Sequence, residues 1–308
     1  MISYYHSTAR ARVLSKVDQP KAGSWCHAIE PNKKELDKLA EQFDLDRDIL
    51  EDAIDVYEAP RIEVDDGATY IFTRYCFPEG QEVATEPLLI IYTSHNIITI
   101  MRTASTVLDQ LIGGRIEILT TQKTKLFLHV LQQINRSYEL QLNVILKKIL
   151  RFRSQLRQSV VRSVDIVQFI ELEEDLNEFI SALQPQALVL AKLETGRYMK
   201  LYEDDKDLVE DIKLSTNELI ELSKNRVKTA INIRQAYDVI ATNNLNKIFK
   251  RLTSIAIFLA IPTIVSGIFG MNVSLPFEHA KYAFIYVVAI IIAVLLIGIS
   301  YFKKRDWL

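Results

Sequence analysis

Three stretches of this sequence concentrate the side chains able to do chemistry. Glu171, Glu173, Glu174, Asp175 and Glu178 form one acidic run; Glu203, Asp204, Asp205, Asp207, Glu210 and Asp211 form a second. Clustered carboxylates are hard oxygen ligands for a divalent cation, or else a solvated helix face. The third stretch is neutral: Gly267-Ile268-Phe269-Gly270-Met271-Asn272, at the end of a long apolar run. Read alone, it is a helix closed by Gly270 and followed by a turn. Enzyme chemistry finds no support. Gly113-Gly114 leads into no Lys-Ser/Thr, so there is no phosphate loop for ATP-driven work. His6, His27, His95, His129 and His279 make no metal-ligand spacing, and neither a nucleophile elbow nor a His-Glu-x-x-His pair occurs.

The segments that carry these residues differ sharply in charge. The chain has 308 residues, with 37 Lys+Arg against 39 Asp+Glu. Residues 248–308 hold 6 basic and 2 acidic residues, whereas residues 1–247 hold 31 basic and 37 acidic. A weakly acidic soluble part therefore precedes a short, basic, very apolar one. The large part has no basic excess to meet phosphates, which argues against a nucleic-acid partner. Cys26 and Cys76 are far apart and in no paired motif, so neither a disulfide framework nor a thiolate zinc site is expected. The start, Met1-Ile2-Ser3-Tyr4-Tyr5-His6, lacks the basic and apolar regions of a signal peptide, and the bulk of the chain is expected in the cytoplasm.

No charged residue occurs from Leu252 to Phe277 or from Tyr282 to Phe302, runs of 26 and 21. About 20 apolar residues suffice to cross a bilayer as a helix, so two spans are expected, at about 252–269 and 282–302. Lys247, Lys250 and Arg251 precede the first; Lys303, Lys304 and Arg305 follow the second; only Lys281 lies between. The bias of positive charge toward the cytoplasm puts both termini inside the cell membrane. Thr253, Ser254, Pro262, Thr263, Ser266, Gly267 and Gly270 make the first span a packing or cavity-lining helix, whereas the second reads as a lipid-facing wall. Asn246, Phe249, Leu252, Ala256, Ala260, Thr263, Gly267 and Gly270 follow one another at steps of three and four, a single helical stripe.

The soluble part reads in two textures. Residues 1–115 form an α+β domain, α/β/α with a mixed sheet. Asn32 and Glu35 fit a capping box, Asp46 to Val56 a short helix, and Arg61–Val64 with Thr69–Tyr75 a hairpin turned by Gly67. Leu88–Tyr92 and Ile97–Met101 fit a second hairpin, and residues 76–86 a loop. Residues 116–247 form a long helical stalk, and residues 248–308 the transmembrane part. In the stalk, Phe127, Val130, Leu131, Ile134, Tyr138, Leu142, Ile145, Leu146 and Ile149 mark one helix. A second runs from Val164 through Pro185 to Leu201, and a third from Asp205 continues into the membrane.

Gly270-Met271-Asn272 at the outer end of the first of two C-terminal spans, and the ending Lys303-Lys304-Arg305-Asp306-Trp307-Leu308, resemble the CorA family of magnesium transporters. The resemblance covers the whole layout. Two departures stand out: Phe269 where the family usually has Tyr, and Leu275-Pro276-Phe277-Glu278 where its outer loop usually reads Met-Pro-Glu-Leu. The resemblance implies a funnel-shaped homopentamer in membrane lipid that conducts Mg2+. Gly270, Met271 and Asn272 would be the selectivity filter, and Glu278 would attract cations to the outer loop. Magnesium dehydrates reluctantly, and a ring of neutral amide oxygens can hold the hydrated ion without trapping it.

The same resemblance lays the stripe along the pore. Asn246 becomes an inner polar ring, Phe249 and Leu252 a constriction, Ala256 and Ala260 a wider section, and Thr263 a ring of hydroxyls below Gly267. It also makes Asp211 the regulatory ligand, where Mg2+ bound between subunits closes the pore. Close helix packing would produce the same stripe, and solvated faces the same acidic runs. Transport of Co2+ or Zn2+ on the same scaffold, or a membrane-anchored ion sensor, remain the other readings.

Overall fold

The computed structural model of the chain describes residues 1–10, 12–80, 82–157, 163–271, 281–305 and 307. They form β1 (Ile2–His6), β2 (Ser15–Val17), β3 (Trp25–Ile29), α1 (Lys33–Phe43), α2 (Arg47–Asp52), β4 (Arg61–Asp65), β5 (Ala68–Glu79), β6 (Glu82–Tyr92) and β7 (Ile97–Met101). Then follow a 3-10 turn (Thr106–Leu108), α3 (Asp109–Ile112), α4 (Lys123–Arg157), α5 (Ser163–Glu194), α6 (Glu203–Phe269) and α7 (Ala283–Lys304). The chain divides into two compact units; α6 leaves the first at Arg234 and enters the second at Gln235.

The first unit is built on a seven-stranded sheet of order β2-β1-β3-β7-β6-β5-β4, antiparallel except for the parallel pair β3–β7. Residues alternate cleanly between its faces. Cys26, Ala28, Tyr70, Phe72, Leu89, Ile91, Ile98 and Ile100 face one way and pack with Leu36, Leu39, Ile49 and Leu50 of α1 and α2. The alternate residues Trp25, Ile71, Tyr75, Leu88, Ile90 and Met101 are equally buried. Helices α4 and α5 cover the sheet on β5 and β6. A sheet covered on both faces needs apolar residues on both, which explains the continuous run Leu88-Leu89-Ile90-Ile91.

Local chemistry sets the boundaries. Asn32 Oδ1 accepts from Glu35 N and Glu35 Oε2 accepts from Asn32 N, both at 3.0 Å, closing the expected capping box. Asp66 and Gly67 take positive φ and turn β4 into β5.

Two expectations are corrected. Residues 76–86 are not a loop: Cys76 pairs with Thr85 and Pro78 with Val83, extending the β5–β6 ladder. Helix α2 stops at Asp52 and α5 at Glu194, where Gly196 at φ 71° ends the rise instead of Leu201.

Beyond the sheet, α4 and α5 continue to pair through aromatic rings. Tyr138 meets Phe179 edge-on at 5.2 Å, and Phe152 meets Phe169 at 4.5 Å. The second unit contains the two helices long and apolar enough to span a membrane, the end of α6 and α7.

Candidate functional site

The second unit orders the first span by size. Phe258 of α6 packs on α7, its ring 5.4 Å from that of Phe302 and its Cε1 over Gly298, where a Cβ would approach to 3.0 Å. The missing side chain at Gly298 therefore lets the helices approach. Trp307 continues the stack, edge-on to Phe302 at 5.3 Å, with its amide donating to Phe302 O at 3.0 Å. Trp307 also lines one groove with Asn243, Lys247 and Lys250. The basic flanks of the two spans thus meet at one end, as an antiparallel pair requires. The second span is accordingly not only a wall toward lipid, a reading its uniform hydrophobicity invites.

The residues of α6 least exposed in this unit include Ser254, Phe258, Ile261 and Val265. Counting about 100° per residue, the stripe centres on the opposite side of the helix. Asn246, Phe249, Leu252, Ala256, Ala260, Thr263, Gly267 and Gly270 are all exposed, Asn246 and Phe249 within the groove that Trp307 lines. Phe249 and Leu252 are each 62% exposed, so the packing against α7 does not use them. Thr263 Oγ1 donates to Leu259 O at 3.2 Å. Its proton is spent inside the helix, and its lone pairs remain for a donor such as the water of a hydrated cation.

At the end of the span, Gly270 N donates to Ser266 O at 2.9 Å and Met271 N to Ile268 O at 3.2 Å. Gly270 is not among the positive-φ glycines, so a left-handed cap does not explain it. A Cβ at this position would come within 3.2 Å of Ser266 O, so a bare backbone suits the site better. Met271 is exposed. Asn272 and Glu278, and with them the outer loop, lie outside the described residues.

The two acidic runs separate. In the first, Glu173 grips Arg234 through Oε1 at 2.9 Å and Oε2 at 3.3 Å. Glu178 Oε1 accepts from Thr85 N at 2.9 Å and Thr85 Oγ1 at 2.6 Å, and Asp175 is buried. This run is mostly structural, and its partners lie too far along the sequence for local pattern to find. In the second, Asp205 Oδ2 accepts from Tyr202 N at 3.0 Å and caps α6. Glu203 pairs with Lys206 at 2.9 Å, and Asp204 with Lys125 at 3.8 Å.

Asp207, Glu210 and Asp211 are exposed and make no ion pair among the described residues. They share one helix face, where like charges repel. No group of three or more His, Cys, Asp or Glu is placed to hold a metal ion among the described residues. Asp211 by itself is not a site within one chain.

Comparison with known proteins adds the family. The profile of the CorA-like Mg2+ transporter proteins matches residues 20–304. The cobalt/magnesium transport protein CorA of Methanocaldococcus jannaschii is 24% identical over 294 residues, 92% of this chain and 91% of that one. The protein of the same name from Thermotoga maritima is 22% identical over 292 residues, 89% and 80% of the two chains. The complete structure of the M. jannaschii CorA magnesium transporter superposes with a TM-score of 0.86 at 22% identity, covering 100% of this chain and 99% of the other. That likeness is one of fold: an N-terminal α/β domain, a long helix and two apolar C-terminal helices.

Proposed function

The chain belongs to the CorA-like Mg2+ transporter family, a family of divalent-cation transporters and not of enzymes, and from that premise we propose that it takes up Mg2+ across the cell membrane through a pore of identical subunits. Co2+ is a second cargo, in keeping with the names of the two relatives. The observation that carries the pore reading is the stripe of α6. From Leu252 to Gly270 its residues form one exposed face, turned away from the chain's own second span, and at its inner end Asn246 and Phe249 are exposed in the groove beside Trp307. One chain with two spans cannot enclose water, so that face requires copies of itself around an axis. A homopentamer fits the family resemblance.

In such a ring Asn272 presents amide oxygens at the outer mouth, in the filter it forms with Gly270 and Met271, and Glu278 draws cations to it. The narrow section is apolar, at Phe249 and Leu252, where dewetting can stop conduction. Ala256, Ala260 and Gly267 leave room for a hydrated ion, and Thr263 offers it oxygen. The basic flanks, with Lys303, Lys304 and Arg305 at the end, place both termini in the cytoplasm. An inside-negative potential is sufficient drive. It is worth about 2.3 kcal/mol per charge at 100 mV, or about 4.6 kcal/mol for a divalent ion, an accumulation on the order of 10³.

Asp211 supplies the shut-off. Mg2+ shared between Asp211 and a neighbouring subunit neutralises the acidic face and favours the closed state; loss of the ion restores repulsion and opens the pore. The reading is tested with the full chain in liposomes carrying an internal divalent-sensitive dye. Uptake of Mg2+ and Co2+ that scales with inside-negative potential supports it. Uptake of Zn2+ alone, or uptake indifferent to potential, refutes it.

A further inference from the structure

A buried line of side-chain hydrogen bonds crosses the first unit from the sheet to α6. Thr73 Oγ1 on β5 donates to Gln186 Oε1 on α5 at 2.8 Å. Gln186 Nε2 donates to Asn135 Oδ1 on α4 at 3.2 Å. Asn135 Nδ2 donates to Thr216 Oγ1 on α6 at 2.9 Å and to Ile212 O at 3.1 Å. The Thr216 hydroxyl itself donates to Ile212 O at 2.8 Å. Thr73, Asn135, Gln186 and Thr216 are all at least 96% buried.

Apolar ridges between helices tolerate sliding by a turn; buried amides do not, because any slide strands a donor away from water. Four elements are thereby held in one register. The last acceptor, the carbonyl of Ile212, belongs to the residue next to Asp211. The constraint therefore lands where that exposed carboxylate leaves the helix. Fully satisfied, such a network rigidifies the core and specifies one arrangement of the elements that share it.

We propose that Asn135, with Thr73, Gln186 and Thr216, is a positioning device for Asp211, fixing where that carboxylate stands on α6 and so the internal Mg2+ concentration at which conduction stops. The proposal rests on the reading of Asp211 as the shut-off ligand. The test is Mg2+ flux into proteoliposomes as a function of internal Mg2+, for the full chain and for Thr216→Val, Thr216→Ser and Asp211→Asn. Thr216→Val keeps shape and removes the hydroxyl; its midpoint for inhibition rises about tenfold, while flux at low internal Mg2+ stays at the unmodified level. Thr216→Ser restores the midpoint. In an Asp211→Asn background, Thr216→Val has no further effect.

An unchanged midpoint in Thr216→Val, with shut-off weakened in Asp211→Asn, overturns the positioning role alone. Shut-off intact in Asp211→Asn overturns the reading beneath it. Should Thr216→Val fail to assemble, hydrogen exchange of the unmodified protein decides. Protection by Mg2+ that spreads from residues 211–216 to the α4 segment around Asn135 supports the device; protection confined to the start of α6 contradicts it.

Discussion

Phe258 Cε1 occupies the space into which a side chain at Gly298 would project, 3.0 Å from where the Cβ would stand. The two spans are joined at this point, and the join determines which face of α6 is left over for neighbours. Overpacking a fitted contact costs about 1–3 kcal/mol. Gly298→Leu is therefore expected to reduce the yield of assembled oligomer on size exclusion and to lower flux. Phe258→Ala in the same chain should recover much of both. No recovery would mean that the two residues do not set the spacing of the helices.

Asp211 stands with Asp207 and Glu210 on one exposed face, and none of the three makes an ion pair among the described residues. Asp211→Asn is expected to leave Mg2+ entry at low internal Mg2+ intact and to raise the inhibitory concentration about tenfold or more. Flux measured at stepped internal Mg2+ checks this, and an unmoved inhibition curve would remove Asp211 from the sensor.

The constriction proposed at Phe249 and Leu252 makes a separate prediction. Phe249→Ala removes the largest apolar side chain of the stripe, which would make the proposed constriction easier to wet. Residual Mg2+ flux at high internal Mg2+ should rise severalfold over the unmodified protein. If leakage stays at the background of empty liposomes, the barrier lies elsewhere.

His27 gives the α/β unit an acid dependence. Burial, reinforced by the positive amino terminus, holds its imidazole down at about 4, below the ordinary 6.5. The Thr99 hydroxyl accepts from Trp25 Nε1 at 2.9 Å and faces His27 Nδ1 at 2.8 Å, which suits a neutral ring able to accept. Because the folded value is depressed, the stability from His27 is complete above about pH 6.5 and is lost as pH falls toward 4. The full amount is about 3 kcal/mol. Thermal unfolding across that window should show a fall in Tm that is smaller in His27→Gln. Parallel curves for the two proteins would contradict it.

Much of this was legible in the sequence wherever the signal is local. The capping box of Asn32 and Glu35, the turn at Gly67 and the uncharged runs that became the two spans each depend on residues within one element. The stripe was legible too, since a helix repeats every three to four residues. What stayed hidden depends on distant partners. Strand β3 pairs in parallel with β7 some 70 residues later, and Glu173 and Glu178 find Arg234 and Thr85 across the fold. Asp175 and Glu178 therefore read as surface charge until the packing is known. Gly298, one small residue in a uniformly apolar helix, shows its purpose only beside Phe258.

The most direct test of transport through a ring of Asn272 amides is Mg2+ entry into proteoliposomes under an inside-negative potential, with Asn272→Ala run beside the unmodified chain. The unmodified protein should admit Mg2+ at rates set by the potential, and Asn272→Ala should admit none above empty liposomes. Equal entry through both would contradict the placement of the filter, and entry through neither at low internal Mg2+ would contradict transport itself.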